Sequence, residues 1–362
     1  MKLCIIYNFT QKYREGIYRL FEQQYDCHWV FGNNKTDIKG LNETIFKTVE
    51  TVNNKFIIGP LYYQVGVPSM LKKHDTLLML GELFCISTWF VLLLRRTIMR
   101  NKRVYLWSHG WYGKEGFVKR LLKKCFFSMS DTTFLYGNYA EKIARAQGYN
   151  KDNLRVVHNS LDHDKQILLR QQQNPSFIYQ EHFGNSLPTL IFIGRLTKIK
   201  RLELLLQALN ISRGKYNLVL VGDGENRKNL ELLTKELNLE KHVWFYGACY
   251  DEDENAKLIY NADLCVSPGN VGLTAIHSMT YGTPVITNNN FSWQMPEFEA
   301  IQQGITGDFF EYENAESMAI CIQDWFEIHK NDRENVRTAC YHEIDNNWTP
   351  EFQMSIFKSI LK

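Results

Sequence analysis

The 362-residue sequence lacks the features that mark several large classes of protein. The uncharged run from Leu83 to Leu94 is twelve residues long, well short of the ~20 apolar residues that a membrane span needs. The eight cysteines form no C-x-x-C pair and no zinc-knuckle spacing, which disfavours a redox motif or a zinc ribbon. With 8 prolines and 22 glycines, a long flexible linker is not expected. No G-x-G-x-x-G follows a predicted strand, which disfavours a dinucleotide oxidoreductase.

Charged residues are divided unevenly between the two halves of the chain. Residues 1–160 contain 24 Lys and Arg against 12 Asp and Glu, whereas residues 161–362 contain 18 against 27. At ~150 residues per domain the length predicts two domains. The opposite net charges indicate that the two domains have different partners. A basic half suits nucleic acid, anionic lipid or a phosphorylated substrate.

Short apolar runs that end in glycine or polar turns alternate with segments of helical spacing, which predicts βαβ units and parallel sheets. In the second half the predicted strands are Leu190–Ile193, Leu218–Val221, Val243–Tyr246, Leu264–Val266 and Val285–Thr287. In the first half they are Leu3–Tyr7, His28–Phe31, Phe56–Ile58, Thr76–Leu80, Val104–Trp107, Thr133–Tyr136 and Leu154–Val157. Helices are predicted between them, notably over Cys85–Met99 and Phe117–Phe127.

The polar stretch from Gln166 to Asn185 is the best candidate for a domain boundary. We therefore predict an N-terminal Rossmann-like domain over residues 1–170 and a C-terminal one over 180–345. A last helix over 346–362 is expected to pack back on the N-terminal domain. Ligands of such sheets bind beyond the carboxyl ends of the strands, and the cleft between two domains is the default site.

Two loops of the second half suit a phosphorylated ligand. Gly194 allows a tight turn directly after a strand, and Arg195 and Lys200 can reach one diphosphate, although a solvated basic loop would look similar. The segment from Ser267 to Thr274 joins a strand to a helix whose first N–H groups form an anion site. Gly222 and Gly224 follow another strand and are a weaker signal.

In the first half, His109 follows a strand and is flanked by aromatic residues. Imidazole can bind sugar hydroxyls while rings such as Trp111 stack on a sugar face; a loop histidine beside core tryptophans is the alternative. Tyr13 and Arg14 follow the first strand and are candidates for binding an acceptor. For these two residues a plain helix start is equally compatible.

Taken together, the motifs of the second half resemble the C-terminal domain of the family 4 retaining glycosyltransferases (glycosyltransferase group 1). The resemblance runs from about residue 188 to about 310. It rests on six motifs in order: Phe192-Ile193-Gly194-Arg195-Leu196 with Lys200, Val221-Gly222-Asp223-Gly224, Phe245-Tyr246-Gly247, Ala262-Asp263-Leu264, Gly272-Leu273, and Gly282-Thr283-Pro284-Val285-Ile286. The first half resembles the family in outline. The family implies an α/β architecture of the GT-B type, with two facing Rossmann-like domains, parallel sheets and a cleft between them.

The resemblance also implies roles for individual residues. Arg195 and Lys200 would hold the donor diphosphate and, with His109 near the donor sugar, form the catalytic set. The other candidates for binding the donor are Gly194, Gly222, Gly224, Ala248, Cys249, Gly269, Asn270, Val271, Gly272, Leu273, Thr274, His277 and Glu297.

One departure from the family pattern stands out. The family has a Glu-x7-Glu pair whose members contact the donor sugar and the ribose, and the corresponding positions here are Gly269 and His277. His277 can still hydrogen-bond a ribose, since imidazole both donates and accepts. Glu297, further along the chain, is a candidate for supplying the missing carboxylate.

We expect a retaining hexosyltransferase that uses a nucleotide sugar, UDP rather than GDP, and no cofactor. The acceptor would be a glycan or a polyprenyl-diphosphate-linked glycan of surface polysaccharide assembly (capsule or lipopolysaccharide). The alternatives are a GT-B-like sugar-nucleotide epimerase or a catalytically impaired binding protein. No metal site is expected, because the Asp-x-Asp formed by Asp162 and Asp164 belongs to another fold.

No nucleic-acid partner is expected, and the protein is expected to be cytoplasmic and peripheral at the inner face of the cell membrane. The basis is two basic clusters in the first half, which would approach anionic lipid. Their members are Arg95, Arg96, Arg100, Lys102 and Arg103, and Lys119, Arg120, Lys123 and Lys124.

Overall fold

The computed structural model describes residues 1–33, 40–41 and 43–361, and the chain divides into two compact units. The first unit comprises the chain up to Asp162 and again from Pro350 onward. The second unit runs from His163 to Thr349. Each unit is built around one parallel sheet with helices packed on it.

The strands are numbered in chain order. They are β1 (Lys2–Tyr7), β2 (Asp26–Gly32), β3 (Val49–Val52), β4 (Asn54–Ile58), β5 (Leu61–Gln64), β6 (Thr76–Leu80), β7 (Arg103–Ser108), β8 (Thr132–Leu135), β9 (Leu154–Val156), β10 (Thr189–Ile193), β11 (Asn217–Val221), β12 (Val243–Gly247), β13 (Leu264–Ser267), β14 (Val285–Asn288) and β15 (Gly307–Phe310).

The α-helices are numbered in the same way. They are α1 (Glu15–Gln24), α2 (Val67–Lys73), α3 (Ile86–Thr97), α4 (Phe117–Ser128), α5 (Asn138–Ala146), α6 (His163–Gln172), α7 (Ile178–Phe183), α8 (Leu202–Ile211), α9 (Arg227–Glu236), α10 (Glu252–Asn261), α11 (Leu273–Thr280), α12 (Ala315–Ile328), α13 (Arg333–Asn347) and α14 (Pro350–Ile360).

The strand order is the same in both sheets, except that the first has an additional edge strand, β9. The first sheet runs β3-β2-β1-β6-β7-β8-β9 and the second runs β12-β11-β10-β13-β14-β15, with all neighbours parallel. In each sheet the chain therefore winds outward from the middle strand in one direction and then in the other. This doubly wound order creates a crevice where the direction reverses, beyond the carboxyl ends of β1 and β6 and of β10 and β13.

Both faces of the first sheet are buried, as the near-continuous apolar strands predict. Leu3, Ile5 and Tyr7 of β1 belong to one hydrophobic cluster, and Cys4 and Ile6 belong to the cluster on the other face. The alternation follows from the period of two residues along a strand.

The last helix, α14, covers part of one face of the first sheet. Phe357 lies between Phe21, Phe134 and Trp107, at ring-centroid distances of 4.5–5.0 Å. Gln353, fully buried, accepts a hydrogen bond from Ser160 at 2.7 Å and so fixes the end of the helix to the loop after β9. The described helix begins at Pro350, four residues later than expected, because α13 continues to Asn347. Lys362 lies outside the described residues.

One sequence prediction about the chain's organisation was wrong, and one predicted strand lies outside the parallel sheets. The stretch from Gln166 to Asn185 is not the boundary, because it forms α6 and α7 and belongs to the second unit. Arg170 of α6 pairs with Asp345 at 2.8 Å, a contact that a polar composition could not reveal. Phe56–Ile58 is a strand, but it pairs with β5 in an antiparallel hairpin outside the parallel sheets.

The fold class was predicted correctly, with most strand bounds accurate to one residue. The edge strands β3 and β15 were not predicted. Within the described part of the chain, no helix has both the length and the hydropathy to cross a bilayer; α3, the candidate from the sequence, has 12 residues.

Candidate active site

The turn after β10 lies at the reversal point of the second sheet. It begins at Gly194 and continues into a 3-10 turn over Lys198–Lys200, while the loop after neighbouring β13 leads to α11. Both loops leave the carboxyl ends of adjacent strands, so the architecture itself brings the two predicted anion-binding segments together.

Glycines hold the three strand ends close to one another. The N–H of Gly194 donates to Val221 at 2.9 Å, and the N–H of Gly222 donates to Gly247 at 2.7 Å. A Cβ at Gly222 would overlap the carbonyl oxygen of Gly194, and one at Gly224 would overlap that of Leu196. Gly222 and Gly224, predicted to bind the donor, therefore act by allowing the loops after β10 and β11 to pack on each other.

Lys200 is a half-buried cation at this edge. Its Nζ donates to the backbone carbonyl of Asn270 at 2.6 Å and to the side-chain Oδ1 of Asn270 at 3.0 Å. Burial lowers the pKa of Lys200 to about 8; Glu297 opposes this shift and Arg195 adds to it. The effect of the Arg195 charge on the pKa of Lys200 shows that the two cations are close. Because Arg195 is exposed, the pair can present two cations to one anion.

The position of the family's first Glu is closed to any side chain. The N–H of Gly269 donates to the Lys200 carbonyl at 3.0 Å, and a Cβ there would overlap the carbonyl oxygen of Ile199. The replacement of Glu by glycine therefore follows from the close packing of the loop after β13 on the turn after β10.

The start of α11 supplies fewer free N–H groups than expected. Gly272 takes a φ of +56°, a left-handed conformation that favours glycine, and turns the chain into the helix. The N–H of Val271 donates to Gln294 Oε1 at 2.8 Å, so it is not open to a phosphate as predicted. The N–H groups from Gly272 to Thr274 remain, since the first turn of a helix gives them no intrahelical partner.

The position of the family's second Glu is filled by a histidine that contacts a carboxylate from elsewhere. His277 Nε2 lies 3.0 Å from Glu252 Oε1, at the start of α10. The same oxygen accepts from Tyr281 at 2.7 Å and from Gln166 at 2.8 Å. Although burial raises the pKa of Glu252, His277 and these hydrogen bonds lower it to about 2, so the carboxylate stays charged.

The other donor candidates lie along the same edge. Ala248 is exposed just beyond β12, and the Cys249 thiol lies 3.5 Å from the carbonyl oxygen of Asp251. Thr274 donates from Oγ1 to the Ile193 carbonyl at 3.0 Å, which ties α11 to the end of β10. Leu273 is half-buried beside it.

The carboxyl edge of the first sheet carries a buried cation in an aromatic cage. Arg14 Nη1 donates to the Tyr7 hydroxyl at 2.9 Å and Nη2 donates to the Tyr136 hydroxyl. Its guanidinium lies 4.6 Å from the Trp107 ring centroid. Burial lowers the pKa of Arg14, but the surrounding tyrosine hydroxyls raise it by more, so the net shift is upward. The prediction that Arg14 binds the acceptor was wrong in this form, because its donors are turned into the protein; half-buried Tyr13 remains a candidate.

His109 lies beside this cage with an unused nitrogen. Its ring centroid is 4.6 Å from that of Tyr136, and its buried Nδ1 has no hydrogen-bond partner among the described residues. Burial first, then the charges of Arg14 and Lys123, lower its pKa to about 4. His109 is therefore neutral near pH 7 and can both donate and accept.

A buried ion pair fixes the loop that carries His109. Lys123 Nζ donates to Glu115 Oε1 at 2.7 Å and to the Gly110 carbonyl at 2.5 Å. Glu115 in turn accepts from the backbone N–H of Tyr112 at 2.7 Å. Lys123 was expected on an exposed basic surface, but only 6% of its side chain is exposed, because Glu115 meets it.

Trp111 was also predicted at the acceptor site and instead lies in the core. It is 1% exposed, with ring centroids 4.7 Å from Phe127 and 5.1 Å from Tyr149. Sequence reasoning missed a carboxyl group at the same edge. Glu82 follows β6, accepts from Tyr62 at 2.8 Å, and has a pKa raised by burial.

A cavity of about 880 Å³ in the second unit lies at the opposite edge of its sheet. Pro188, Asp263 and Pro284, at the amino ends of β10, β13 and β14, are among the residues that line it. Since ligands of doubly wound sheets bind at the carboxyl ends, this cavity does not coincide with the candidate site.

Residues 175–342 match the family model described as glycosyl transferases group 1. The match covers most of the second unit, which runs from His163 to Thr349, and it contains all the donor-site candidates. The edge described above therefore lies within the part of the chain that is similar to the group 1 glycosyl transferases.

Relatives and solved structures agree with this assignment. The chain is 28% identical over 219 residues to an uncharacterized 41.2 kDa protein in the cps region of Klebsiella pneumoniae, covering 59% of this chain and 55% of that protein. It is 31% identical over 140 residues to the O-antigen biosynthesis glycosyltransferase WclY of Escherichia coli, covering 37% of this chain and 37% of that protein. The chain thus spans about half or less of the curated relatives it matches. HepE of Anabaena, solved with UDP, matches over the full length of both chains with a TM-score of 0.76 and 15% identity. This likeness confirms the GT-B fold.

Proposed function

We propose that the protein is a retaining glycosyltransferase that moves a hexosyl group from a nucleotide sugar to a glycan acceptor. The observation that carries the proposal is the pair Arg195 and Lys200 in the turn after β10, at the reversal point of the sheet, where Lys200 contacts Asn270 in the loop that leads to α11. The pair suits a diphosphate, which is the leaving group of such a reaction.

The chemistry follows from the charge that develops as the sugar leaves. Departure of the nucleotide increases negative charge on the diphosphate, and Lys200, Arg195 and the N–H groups of α11 stabilise it. A front-face reaction, in which the leaving phosphate accepts the proton of the acceptor hydroxyl, fits this arrangement. In the first unit, we propose that neutral His109 binds a sugar hydroxyl. Catalysis on this account needs no metal or cofactor.

The donor we propose is a UDP-sugar. Support comes from HepE, whose structures are described with UDP and with UDP-glucose. Support for a surface-polysaccharide acceptor, including a polyprenyl-diphosphate-linked glycan, comes from the relatives named for a cps region and for O-antigen biosynthesis.

Glu252 offers a route around the missing second Glu of the family pattern. Its carboxylate contacts His277, which occupies that position, and holds the imidazole in place through a 3.0 Å contact. We infer that His277 binds the ribose hydroxyls and that Glu252 orients it, as carboxylates orient imidazole ligands elsewhere.

A catalytically impaired binding protein is the alternative favoured by one observation. Gly269 leaves no room for the carboxylate that contacts the donor sugar in the family. Turnover decides between the two: we expect UDP release from at least one UDP-sugar in the presence of a glycan acceptor, and NMR of the product should show a retained anomeric configuration. Binding of UDP-sugars without any turnover would favour the alternative, and conversion without acceptor would indicate an epimerase.

We also propose that the first unit binds an anionic membrane surface. The first six residues of α4, from Phe117 to Leu122, are all exposed, with Phe117 at 81%, Val118 at 68% and Leu121 at 60% exposure. Lys119 and Arg120 lie between these apolar residues, a combination typical of helices that lie in a lipid interface.

The β4–β5 hairpin extends the same surface. Lys119 Nζ lies 5.5 Å from the Phe84 ring centroid, and the Phe84 carbonyl accepts from Tyr62 at 3.1 Å. Tyr62 packs on Phe56, whose neighbour Ile57 is 61% exposed. The hairpin therefore adds exposed apolar groups that are linked to Lys119 of α4 through Phe84 and Tyr62. The other basic cluster contributes less than predicted, because Arg95 pairs with Asp131 and Lys102 with Asp75.

Vesicle sedimentation tests the membrane proposal. We expect binding to vesicles containing phosphatidylserine, weaker binding to phosphatidylcholine alone, and at least tenfold weaker binding of the double variant Phe117→Ser/Leu121→Ser. Phe177→Ser, an equally exposed position of the second unit, is the control. The proposal would be contradicted if the double variant bound the phosphatidylserine vesicles as strongly as Phe177→Ser does, or if the wild type did not bind these vesicles.

A further inference from the structure

Three potential metal ligands from distant parts of the sequence meet in the first unit. Cys4 of β1 and His28 of β2 are paired in register on adjacent parallel strands. His74 follows the last residue of α2, two residues before β6, which is the other neighbour of β1. One ligand atom of each residue lies within 4.8 Å of those of the other two.

The two imidazole nitrogens lie slightly closer together than a shared ion would hold them. His28 Nδ1 and His74 Nε2 are hydrogen-bonded at 2.9 Å, and Cys4 is fully buried beside them. Zn–N bonds of about 2.0–2.1 Å at a tetrahedral angle place two nitrogens about 3.3 Å apart, so a small rotation of either ring would admit the ion. Both histidines are half-exposed, which gives an ion a path from solvent.

A carboxylate stands behind one of the imidazoles. Glu50 Oε2 of β3 lies 3.6 Å from His28 Nε2, the nitrogen that faces away from His74. Metal-bound histidines commonly interact through their second nitrogen with a carboxylate, which fixes the tautomer and raises the basicity of the ligating nitrogen.

We propose that Cys4, His28 and His74 form a Zn²⁺ site, with water as the fourth ligand and Glu50 as the outer partner of His28. One thiolate with two imidazoles suits Zn²⁺ better than the hard cations Mg²⁺ and Ca²⁺. The residues lie towards the amino ends of β1, β2 and β6, away from the edge that carries His109. The ion would therefore join the central strands of the sheet and take no part in sugar transfer.

Binding must release the proton of the Cys4 thiol, because a thiolate is the ligand. The charges of Lys2, Lys73 and Lys102 act on His74 and disfavour the ion, whereas the Glu50 carboxylate beside His28 favours it.

Cobalt substitution tests the site in the full-length protein. After removal of metal with a chelator, one equivalent of Co²⁺ should give a thiolate-to-cobalt charge-transfer band, and Zn²⁺ should abolish it. Binding in two buffers of different ionisation enthalpy should show release of about one proton.

Variants make the assignment specific. Cys4→Ser should abolish the band, and His74→Gln, at a half-exposed position, should weaken Zn²⁺ binding at least tenfold. Cys27→Ser is the matched control, because Cys27 precedes His28 and points to the other face of the same strand. No stoichiometric Zn²⁺ binding by the wild type, or an unchanged band in both Cys4→Ser and His74→Gln, would overturn the proposal.

Discussion

Replacing Lys200 by methionine tests whether this cation serves ligand binding or the stability of the fold. Burial lowers its pKa from 10.5 to about 8, which corresponds to a cost of about 3 kcal/mol for keeping the buried ammonium charged at pH 7. The methionine removes this cost but takes the donor from two acceptor oxygens of Asn270. Because Asn270 is half-buried and water can partly replace the ammonium, we take the loss as about 1–3 kcal/mol for both oxygens together. We therefore expect the free energy of unfolding to be unchanged or raised by up to about 2 kcal/mol.

The effect on the ligand should have the opposite sign. A charge-assisted contact to the diphosphate contributes about 1.5–3 kcal/mol, so Lys200→Met should weaken UDP binding about 10- to 150-fold at pH 7. In the wild type, UDP affinity should fall as the pH rises above about 8, because the unliganded lysine then loses its proton.

The stability of the wild type should depend on pH in a defined direction. Because the folded-state pKa of Lys200 is below that of the unfolded chain, the unfolded state binds more protons between about pH 8 and 10.5. This lysine's contribution to stability therefore rises with pH through that window, and Lys200→Met should lack this rise.

Calorimetry at pH 7 and pH 9.5, with UDP titrations at both, measures all three effects. An increase of up to about 2 kcal/mol corresponds to at most about 8 °C in Tm for a unit of this size. Lys198→Met, an exposed position in the same turn, is the control and should leave stability unchanged. The reasoning would be refuted if Lys200→Met lost more than about 3 kcal/mol in free energy of unfolding, or if it bound UDP as tightly as the wild type.

Three further predictions concern other parts of the candidate site. Glu252→Gln should raise the KM for the donor about tenfold with little change in kcat, since Glu252 acts through His277. An unchanged KM would show that Glu252 does not orient His277 for donor binding. Lys123→Met should destabilise the first unit by about 3–5 kcal/mol in thermal unfolding, because it leaves the Glu115 carboxylate buried without its cation, whereas a loss below 1 kcal/mol would show the pair to be dispensable. Glycosyl transfer should survive EDTA and Asp162→Ala, whereas abolition by EDTA with rescue by Mn²⁺ would show that catalysis needs a metal.

Local patterns were sufficient for the second sheet and its anion-binding turn. The apolar run before Gly194 and the cations after it are close in sequence, and the parallel architecture places the end of β10 beside that of β13. The regular alternation of strand and helix therefore determined both the fold class and the location of Arg195 and Lys200.

Features that depend on distant partners could not be read from the sequence. Lys123 has the spacing of a helix surface, and only the folded loop shows that Glu115 meets it. Trp111 follows a strand as a site residue would, but Phe127 and Tyr149 enclose it.

The same limit applies to the polar contacts of the second unit. Glu252 resembles an ordinary carboxylate at a helix start, and its contact with His277 joins residues 25 positions apart. The replacement of Glu at Gly269 was visible in the sequence, but its cause, the close approach of the Ile199 carbonyl, was not.

Titration of nucleotides into the full-length protein tests the central claim, that the turn after β10 binds the diphosphate of a nucleotide sugar. Isothermal titration should show one site for UDP and for at least one UDP-sugar, with weaker binding of GDP. Arg195→Met should weaken UDP binding at least tenfold, while Arg213→Met, an exposed position beyond the end of α8, should not change it. Absence of binding by any nucleoside diphosphate, or equal affinity of the wild type and Arg195→Met, would contradict the account.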